Sequence, residues 1–101
     1  MKSGYEILWT DNALKELEKT ILYLEENWTE KELQNLATQL EQTIKLISQN
    51  PYIFQVSDFK KEVRRAVVLT LNTLYFRIFE DKVEILSFFS NRQNPKKRNI
   101  R

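Results

Sequence analysis

Apolar positions in the first fifty residues follow two different periods. Tyr5, Ile7 and Trp9 are separated by single residues, an alternation that predicts a short first strand. Apolar residues then recur at three- and four-residue intervals in two successive segments, which is typical of helices with one buried face. The first stripe comprises Leu14, Leu17, Ile21, Leu24 and Trp28, and the second comprises Leu33, Leu36, Ala37, Leu40, Ile44 and Ile47.

Capping residues mark the ends of both predicted helices. Thr10 or Asp11 can accept hydrogen bonds from the free amides at the start of the first helix. The segment Thr29–Glu32 has the residue order of a capping box, so the second helix should begin there, and Asn50 and Pro51 should end it. Because almost no loop separates the two helices, we expect them to form an antiparallel hairpin.

The second half of the chain is rich in β-branched and aromatic residues. Three segments, Val63–Leu69, Leu74–Phe79 and Val83–Phe89, have the composition of strands. Leu71–Thr73 and Glu80–Lys82 are the predicted turns between them, although the second lacks the Asn-Gly pair favoured in tight hairpins. The order of strand, helix hairpin and three-strand antiparallel meander predicts an α+β fold, with the helices on one face of the sheet.

A single domain is expected over residues 1–101, with a basic C-terminal tail at 91–101. Gly4 is the only glycine and Pro51 and Pro95 are the only prolines, so no flexible linker divides the chain. The tail either binds an anionic or acidic partner or simply keeps the protein soluble.

Alternation within the predicted middle strand separates an apolar face from a polar one. Phe76 and its apolar neighbours share one face, while Tyr75 and Arg77 share the other. If the helices cover the apolar face, Tyr75 and Arg77 lie on the uncovered face. In the neighbouring strand, the adjacent Arg64 and Arg65 must point to opposite faces, so one of them joins Tyr75 and Arg77.

For two adjacent phenylalanines near the end of the last strand, the same question arises of which face each side chain occupies. Phe88 and Phe89 face opposite sides of a regular strand, so one belongs to the core and the other is a candidate for partner contact. We count Phe88 among the candidate partner residues. Arg92 leaves the strand near the same edge of the sheet.

Charge is distributed unevenly between the two halves of the chain. Residues 1–50 contain five lysines and no arginine against nine acidic residues, a balance of −4. Residues 51–101 contain eleven basic residues, including all six arginines, against five acidic residues, a balance of +6. This split favours a surface that faces an anion or an acidic partner, although scattered solvated charge is an alternative.

Two residue types that carry much enzyme chemistry are absent. The chain contains neither cysteine nor histidine, which excludes disulfides, thiolate catalysis and imidazole ligands for a metal. We therefore expect no metal and no cofactor. The sequence has no apolar run of 18 residues and no signal-peptide pattern at its N-terminus, so we expect a cytoplasmic protein that does not enter a membrane.

Several segments together resemble the RelE/ParE superfamily of toxins from bacterial type II toxin–antitoxin, or plasmid stabilisation, systems. The matching segments are YEILWTDNALKELEKTILYLEENW, then ISQNPYIF, then VRRAVVLTLNTLYFRIFEDKVEILSFFSNRQNPKK, which together cover nearly the whole chain. No single segment is diagnostic, but their order is fairly specific as a set. The resemblance implies a small toxin that inhibits growth and is held inactive by a cognate antitoxin.

The resemblance leaves two targets open. RelE-like toxins cut mRNA on the ribosome, whereas ParE-like toxins share the fold and poison DNA gyrase. RelE-like toxins place an arginine three residues before the aromatic that aligns with Tyr75, and that position is Asn72 here. The nuclease branch also commonly has a His or Tyr beyond the last strand, and this chain has neither. The ParE-like branch is therefore favoured, and the alternative is a ribosome-dependent endoribonuclease that uses Arg65, Arg77 and Arg92.

These expectations define a partner surface that would bind the antitoxin and gyrase, or in the alternative the ribosome and mRNA. The protein would assemble with its antitoxin or form a homodimer. The candidate partner-binding residues are Arg64, Arg65, Tyr75, Arg77, Phe88, Arg92, Lys96, Lys97 and Arg98.

Overall fold

A computed structural model of the chain describes residues 4–27, 29–57, 60–69 and 72–90. The expectations for Trp28, for Leu71 and for the tail at 91–101 lie outside these residues. The elements in chain order are β1 (Glu6–Trp9), α1 (Asp11–Asn27), α2 (Glu30–Gln49), a short 3-10 turn (Pro51–Ile53), β2 (Gln55–Val56), β3 (Arg64–Val68), β4 (Asn72–Phe79) and β5 (Lys82–Ser90).

The described strands form one sheet in the order β1-β5-β4-β3-β2. β3, β4 and β5 pair antiparallel as the predicted meander, which confirms the α+β fold. Two features of the sheet were not predicted. β1 pairs parallel with β5, with Ile7 opposite Val83, and the two-residue strand β2 is added beside β3.

Both helices begin at the predicted caps. Thr10 Oγ1 accepts a hydrogen bond from the amide of Ala13 at 3.2 Å, and Thr29 Oγ1 accepts one from the amide of Glu32 at 3.3 Å. Asn50 is the C-cap of α2, and its amide donates to the carbonyl of Leu46 at 2.8 Å. The capping residues therefore predicted the starts of both helices and the end of α2 correctly.

The core lies between the two helices and one face of the sheet. Leu14 was predicted to face it but is 48% exposed, because α1 instead turns Ala13 and Leu24 toward the sheet. The buried cluster contains Ala13, Leu24, Leu36, Ile47, Ala66, Val68, Leu74, Phe76, Val83, Ile85 and Phe88.

The turn between β3 and β4 differs from the prediction. Asn72 and Thr73, predicted as turn residues, are paired in β4 with Val68 and Val67. Leu69 instead bends the chain, with a φ of 56° in the left-handed region. Asn is a common turn residue, and for that reason the predicted turn lies too late in the chain.

The turn between β4 and β5 lies where it was predicted. Glu80 adopts a φ of 56° there, which a non-glycine residue adopts only at some steric cost. Lys82 Nζ donates to Asp81 Oδ1 at 3.2 Å across the turn. This hydrogen bond is the main reason that the pKa of Lys82 is raised above its ordinary value.

A β-bulge interrupts β5 opposite the middle of β4. Tyr75 pairs with Ser87 and Phe76 pairs with Ile85, so Leu86 is the extra residue without an opposite partner. β1 also ends here, because its last paired residue, Trp9, lies opposite Ile85. Beyond this point β5 needs other partners for its backbone on the β1 side.

Side chains at the start of α1 supply those partners. Thr10 Oγ1 donates to the carbonyl of Ile85 at 2.8 Å, and Asn12 Nδ2 donates to the carbonyl of Leu86 at 3.0 Å. Glu16 Oε1 accepts from Ser87 Oγ at 2.7 Å and from the amide of Phe88 at 2.9 Å. Helix α1 is thereby held against the bulged strand by polar contacts as well as by the core.

Replacing Glu16 with alanine should lower the free energy of unfolding by about 1–3 kcal/mol, because the amide of Phe88 loses its acceptor in a partly buried place. Urea denaturation followed by circular dichroism measures this change. Glu18→Ala is the matched control, since Glu18 is an exposed residue of the same helix, and it should change stability by less than about 0.5 kcal/mol. Equal effects of the two substitutions would contradict the role assigned to Glu16.

Candidate functional surface

The face of the sheet opposite the helices carries several large apolar side chains that remain accessible. Val67 of β3 is 52% exposed, Phe79 of β4 is 50% exposed, Phe89 of β5 is 40% exposed and Leu8 of β1 is 38% exposed. The strand registers place all four on the same face of the sheet. We call this the uncovered face. Exposed apolar groups on one face of a small domain are typical of an interaction surface.

Arg65 and Tyr75 lie side by side in the middle of the uncovered face. They are directly opposite each other on β3 and β4, and Tyr75 is in turn opposite Ser87 on β5. Arg65 is partly buried, and it makes no hydrogen bond or ion pair with any residue that the structure describes. Among the described residues its guanidinium thus has no counter-charge.

Arg77 lies on the uncovered face too, but its charge is already matched. Its Nε donates to Glu84 Oε1 at 2.7 Å across the β4–β5 pair, and its guanidinium lies 5.7 Å from the ring centroid of Phe79. Arg77 therefore brings a neutral, hydrogen-bonded pair to this face rather than a free positive charge.

Arg64 points to the opposite face, as the alternation of side chains requires. Its Nη1 donates to the carbonyl of Phe54 at 2.7 Å, and its guanidinium stacks 5.1 Å from the ring centroid of Tyr52. These contacts set it apart from Tyr75 and Arg77, and its role as a partner-binding residue stays a prediction. Arg64 holds the segment after α2 against the sheet, and Arg65 alone of this pair joins Tyr75 and Arg77.

A groove of about 560 Å³ opens on the uncovered face, over β4. Its floor and walls come from β4, from β5 around the bulge, and from the segment that precedes β3. The volume lies within the range of sites that hold a small molecule or a few side chains. The lining residues are Lys60, Glu62, Val63, Tyr75, Arg77, Glu84, Leu86, Ser87 and Phe89.

The prediction that Phe88 contacts a partner is wrong, because Phe88 is only 1% exposed and belongs to the core. The bulge explains the error. Strict alternation from the buried Val83 and Ile85 would put Phe89 in the core and Phe88 outside. The extra residue Leu86 reverses the alternation, so Phe88 packs inward and Phe89 lines the groove.

Asn72 does not reach the uncovered face. It is 1% exposed, and its Nδ2 donates to the carbonyl of Val68 at 3.1 Å. The side chain therefore ties the ends of β3 and β4 together. At the position where the resemblance expects a nuclease arginine, this chain has a buried structural amide.

The remaining basic candidates, Arg92, Lys96, Lys97 and Arg98, lie outside the described residues. Within the described part of the chain, no group of three or more carboxylates is arranged to hold a metal ion. Neither described helix is long and apolar enough to cross a membrane.

Sequence reasoning missed most of the residues that line the groove. Leu86, Glu84 and Val63 were each read as ordinary strand residues. These residues meet around the groove because of the bulge and the path of the segment before β3. Neither feature has a sequence signal as strong as a capping box. The pairing of Arg77 with Glu84 required the register between strands, which composition does not supply.

Comparisons with known proteins agree with this architecture. Residues 7–95 match the family model described as the ParE toxin of the type II toxin–antitoxin system parDE. The chain therefore belongs to the ParE toxin family, within the RelE/ParE superfamily of type II toxins. No curated protein sequence matches it.

Solved structures show the same fold at low sequence identity. A chain of the chromosomal ParDE system from P. aeruginosa is 15% identical, with a TM-score of 0.72 over 85% of this chain and 95% of that one. The YoeB dimer from Staphylococcus aureus is 12% identical, with a TM-score of 0.59 over 84% and 94%. The E. coli DinJ–YafQ toxin–antitoxin complex is 12% identical, with a TM-score of 0.59 over 89% and 96%.

The two adjacent phenylalanines should respond differently to truncation. Phe88→Ala removes a ring from the core and should destabilise the fold by about 3–5 kcal/mol, whereas Phe89→Ala should change stability by less than about 1 kcal/mol. Urea denaturation of both variants measures the difference. If Phe89→Ala proves the more destabilising, the reversed alternation after Leu86 is incorrect.

Proposed function

We propose that this chain is a type II toxin that is neutralised by a cognate antitoxin and that inhibits DNA gyrase by binding it. The observation that carries the proposal is the match of residues 7–95 to the ParE toxin family. The resemblance to that family implies a gyrase poison rather than a nuclease. Two of the similar structures are toxin–antitoxin systems, which supports an antitoxin as the first partner.

The geometry of the described residues favours binding over RNA cleavage. Cleavage requires cations that stabilise the charge on a scissile phosphate in the transition state. The position expected to carry such an arginine is the buried Asn72, and the charge of Arg77 is matched by Glu84. Of the described candidates for this chemistry, only Arg65 presents an unmatched guanidinium on the uncovered face.

The same surface has the properties of a protein-binding site. Its exposed apolar side chains bury area on contact, and Arg and Tyr are enriched at the energetic centres of protein interfaces. Arg65 beside Tyr75 has the composition of such a centre. The uncovered face therefore supports a toxin that acts by occupying a protein partner.

Expression of the chain without its antitoxin should arrest growth and induce the DNA-damage response, because a poisoned gyrase leaves DNA breaks. A damage-response reporter measures the induction, and mapping of mRNA 5′ ends in the same culture tests for cleavage. We expect induction of the reporter and intact transcripts. The Phe88→Asp variant is the control, since a charge in the core should prevent folding and abolish both effects.

Codon-positioned cuts in mRNA without induction of the damage response would overturn this function. That outcome would support the ribosome-dependent nuclease instead, with Arg65, Arg77 and Arg92 as its phosphate-binding residues. Growth without any defect would contradict both activities.

A further inference from the structure

The two helices leave an apolar cleft between them, on the opposite side of the molecule from the uncovered face. The cleft has a volume of about 230 Å³. Among the residues that the structure describes, its walls contain only aliphatic side chains. We call it the interhelical cleft. The lining residues are Leu17, Ile21, Leu33, Leu36, Ala37 and Leu40.

A second, polar cavity adjoins one end of the interhelical cleft. Leu17, Ile21 and Glu25 follow one another at four-residue intervals on α1, so they form one row along its surface. The facing row on α2 begins at Glu30 and continues through Leu33. A cavity of about 270 Å³ lies between Glu25 and Glu30, and it meets the cleft at Leu33, which lines both. This polar cavity is the mouth of the cleft.

The two glutamates at the mouth carry negative charge without a counter-charge. Glu25 and Glu30 are both exposed, and neither forms an ion pair with a residue that the structure describes. Glu25 also lies in the last turn of α1, which contains no basic residue. The aligned peptide dipoles place partial negative charge at that end of a helix, so an acidic residue there is unfavourable. The mouth of the cleft therefore favours a cation.

The apolar part of the cleft is too small and too apolar for a peptide backbone. A helix with its side chains is about 10–12 Å wide, and the backbone of an extended peptide would lose its hydrogen bonds to water against aliphatic walls. An apolar cavity of about 150 Å³ holds a molecule of the size of benzene. At about 230 Å³, the interhelical cleft holds one apolar group that is somewhat larger.

We propose that the interhelical cleft binds a small primary amine, with the apolar body of the ligand between α1 and α2 and its ammonium group at Glu25 and Glu30. Apolar walls with a few polar groups that fix the orientation are typical of small-molecule sites. The rise of about 1.5 Å per residue puts Leu40 about 15 Å along α2 from Glu30, so the apolar body lies within that distance of the carboxylates. This binding is independent of gyrase and of the antitoxin.

An NMR titration of the leucine methyl signals of the purified chain at pH 7 tests the site. The probes are octylamine, octanol and octanoate, which share an aliphatic chain and differ in charge. Octylamine should bind, and octanol should bind about 2–5-fold more weakly, because it lacks the ionic contact with the exposed carboxylates. Octanoate should bind most weakly of the three, because its charge is repelled.

Two changes separate the apolar contact from the ionic one. Ala37→Phe places a ring in the cleft and should weaken the binding of octylamine and octanol by about 10-fold or more, because a close-packed cleft has no room for a ligand. The double variant Glu25→Gln, Glu30→Gln should remove the preference for octylamine over octanol. It should leave the affinity for octanol unchanged.

Matched controls place the same changes outside the cleft. Gln39→Phe adds a ring on the opposite side of α2 from Ala37, and the double variant Glu26→Gln, Glu62→Gln removes the same amount of charge as the double variant at the mouth. Both controls should leave the affinities for octylamine and octanol unchanged. Circular dichroism should show that all of the variants remain folded, since every replaced residue is exposed.

Four results would overturn the proposal. The first is the absence of any change in the leucine methyl signals at the highest soluble concentration of octylamine. The second is equal affinity for octylamine and octanoate. The third is binding of octylamine that survives Ala37→Phe. The fourth is a homodimer, seen by light scattering, that excludes octylamine and is lost in Ala37→Phe, because a second copy of the chain would then cover the cleft.

Discussion

The fold depends on which groups hydrogen-bond to the backbone of β5 along the edge where β1 ends. β1 pairs with β5 in parallel as far as Ile85, and beyond that point the polar side chains at the start of α1 take over. Thr10 both caps α1 and bonds to the carbonyl of Ile85, 75 residues away in sequence. A single threonine therefore caps the helix and joins it to β5 at the point where β1 ends.

This constraint also determines which surface is left for partners. Glu16 and Asn12 hold α1 along the edge of β5 that β1 leaves open, next to the bulge at Leu86. The helices consequently cover one face of the sheet, and the other face retains its exposed aromatic and aliphatic side chains. The same bulge that α1 stabilises turns Phe89 into the groove, so the stability of the fold and the shape of the surface share one structural cause.

Local sequence patterns predicted much of the fold and less of the surface. The helices, their caps at Thr10 and Thr29, and the antiparallel meander follow from periodicity and capping chemistry, which act over a few residues. The parallel pairing of β1 with β5 joins distant segments and has no local signal. The bulge at Leu86 likewise has none, and for that reason Phe88 was counted among the partner residues although it is buried.

Individual arginines show the same division between local and long-range information. Alternation predicted that Arg64 and Arg65 face opposite sides, and the structure confirms it. Only the tertiary structure shows that Arg64 is engaged by the carbonyl of Phe54, that Arg77 is paired with Glu84 and that Arg65 has no such partner among the described residues. Whether each arginine is paired within the fold depends on contacts between segments that are distant in the sequence.

The most direct test of the central claim is a supercoiling assay with purified DNA gyrase and the purified chain. A toxin that acts by binding should block supercoiling at concentrations comparable to that of gyrase, and addition of its antitoxin should restore activity. Undiminished supercoiling at a large excess of the chain, together with cleavage of mRNA on translating ribosomes, would contradict the account.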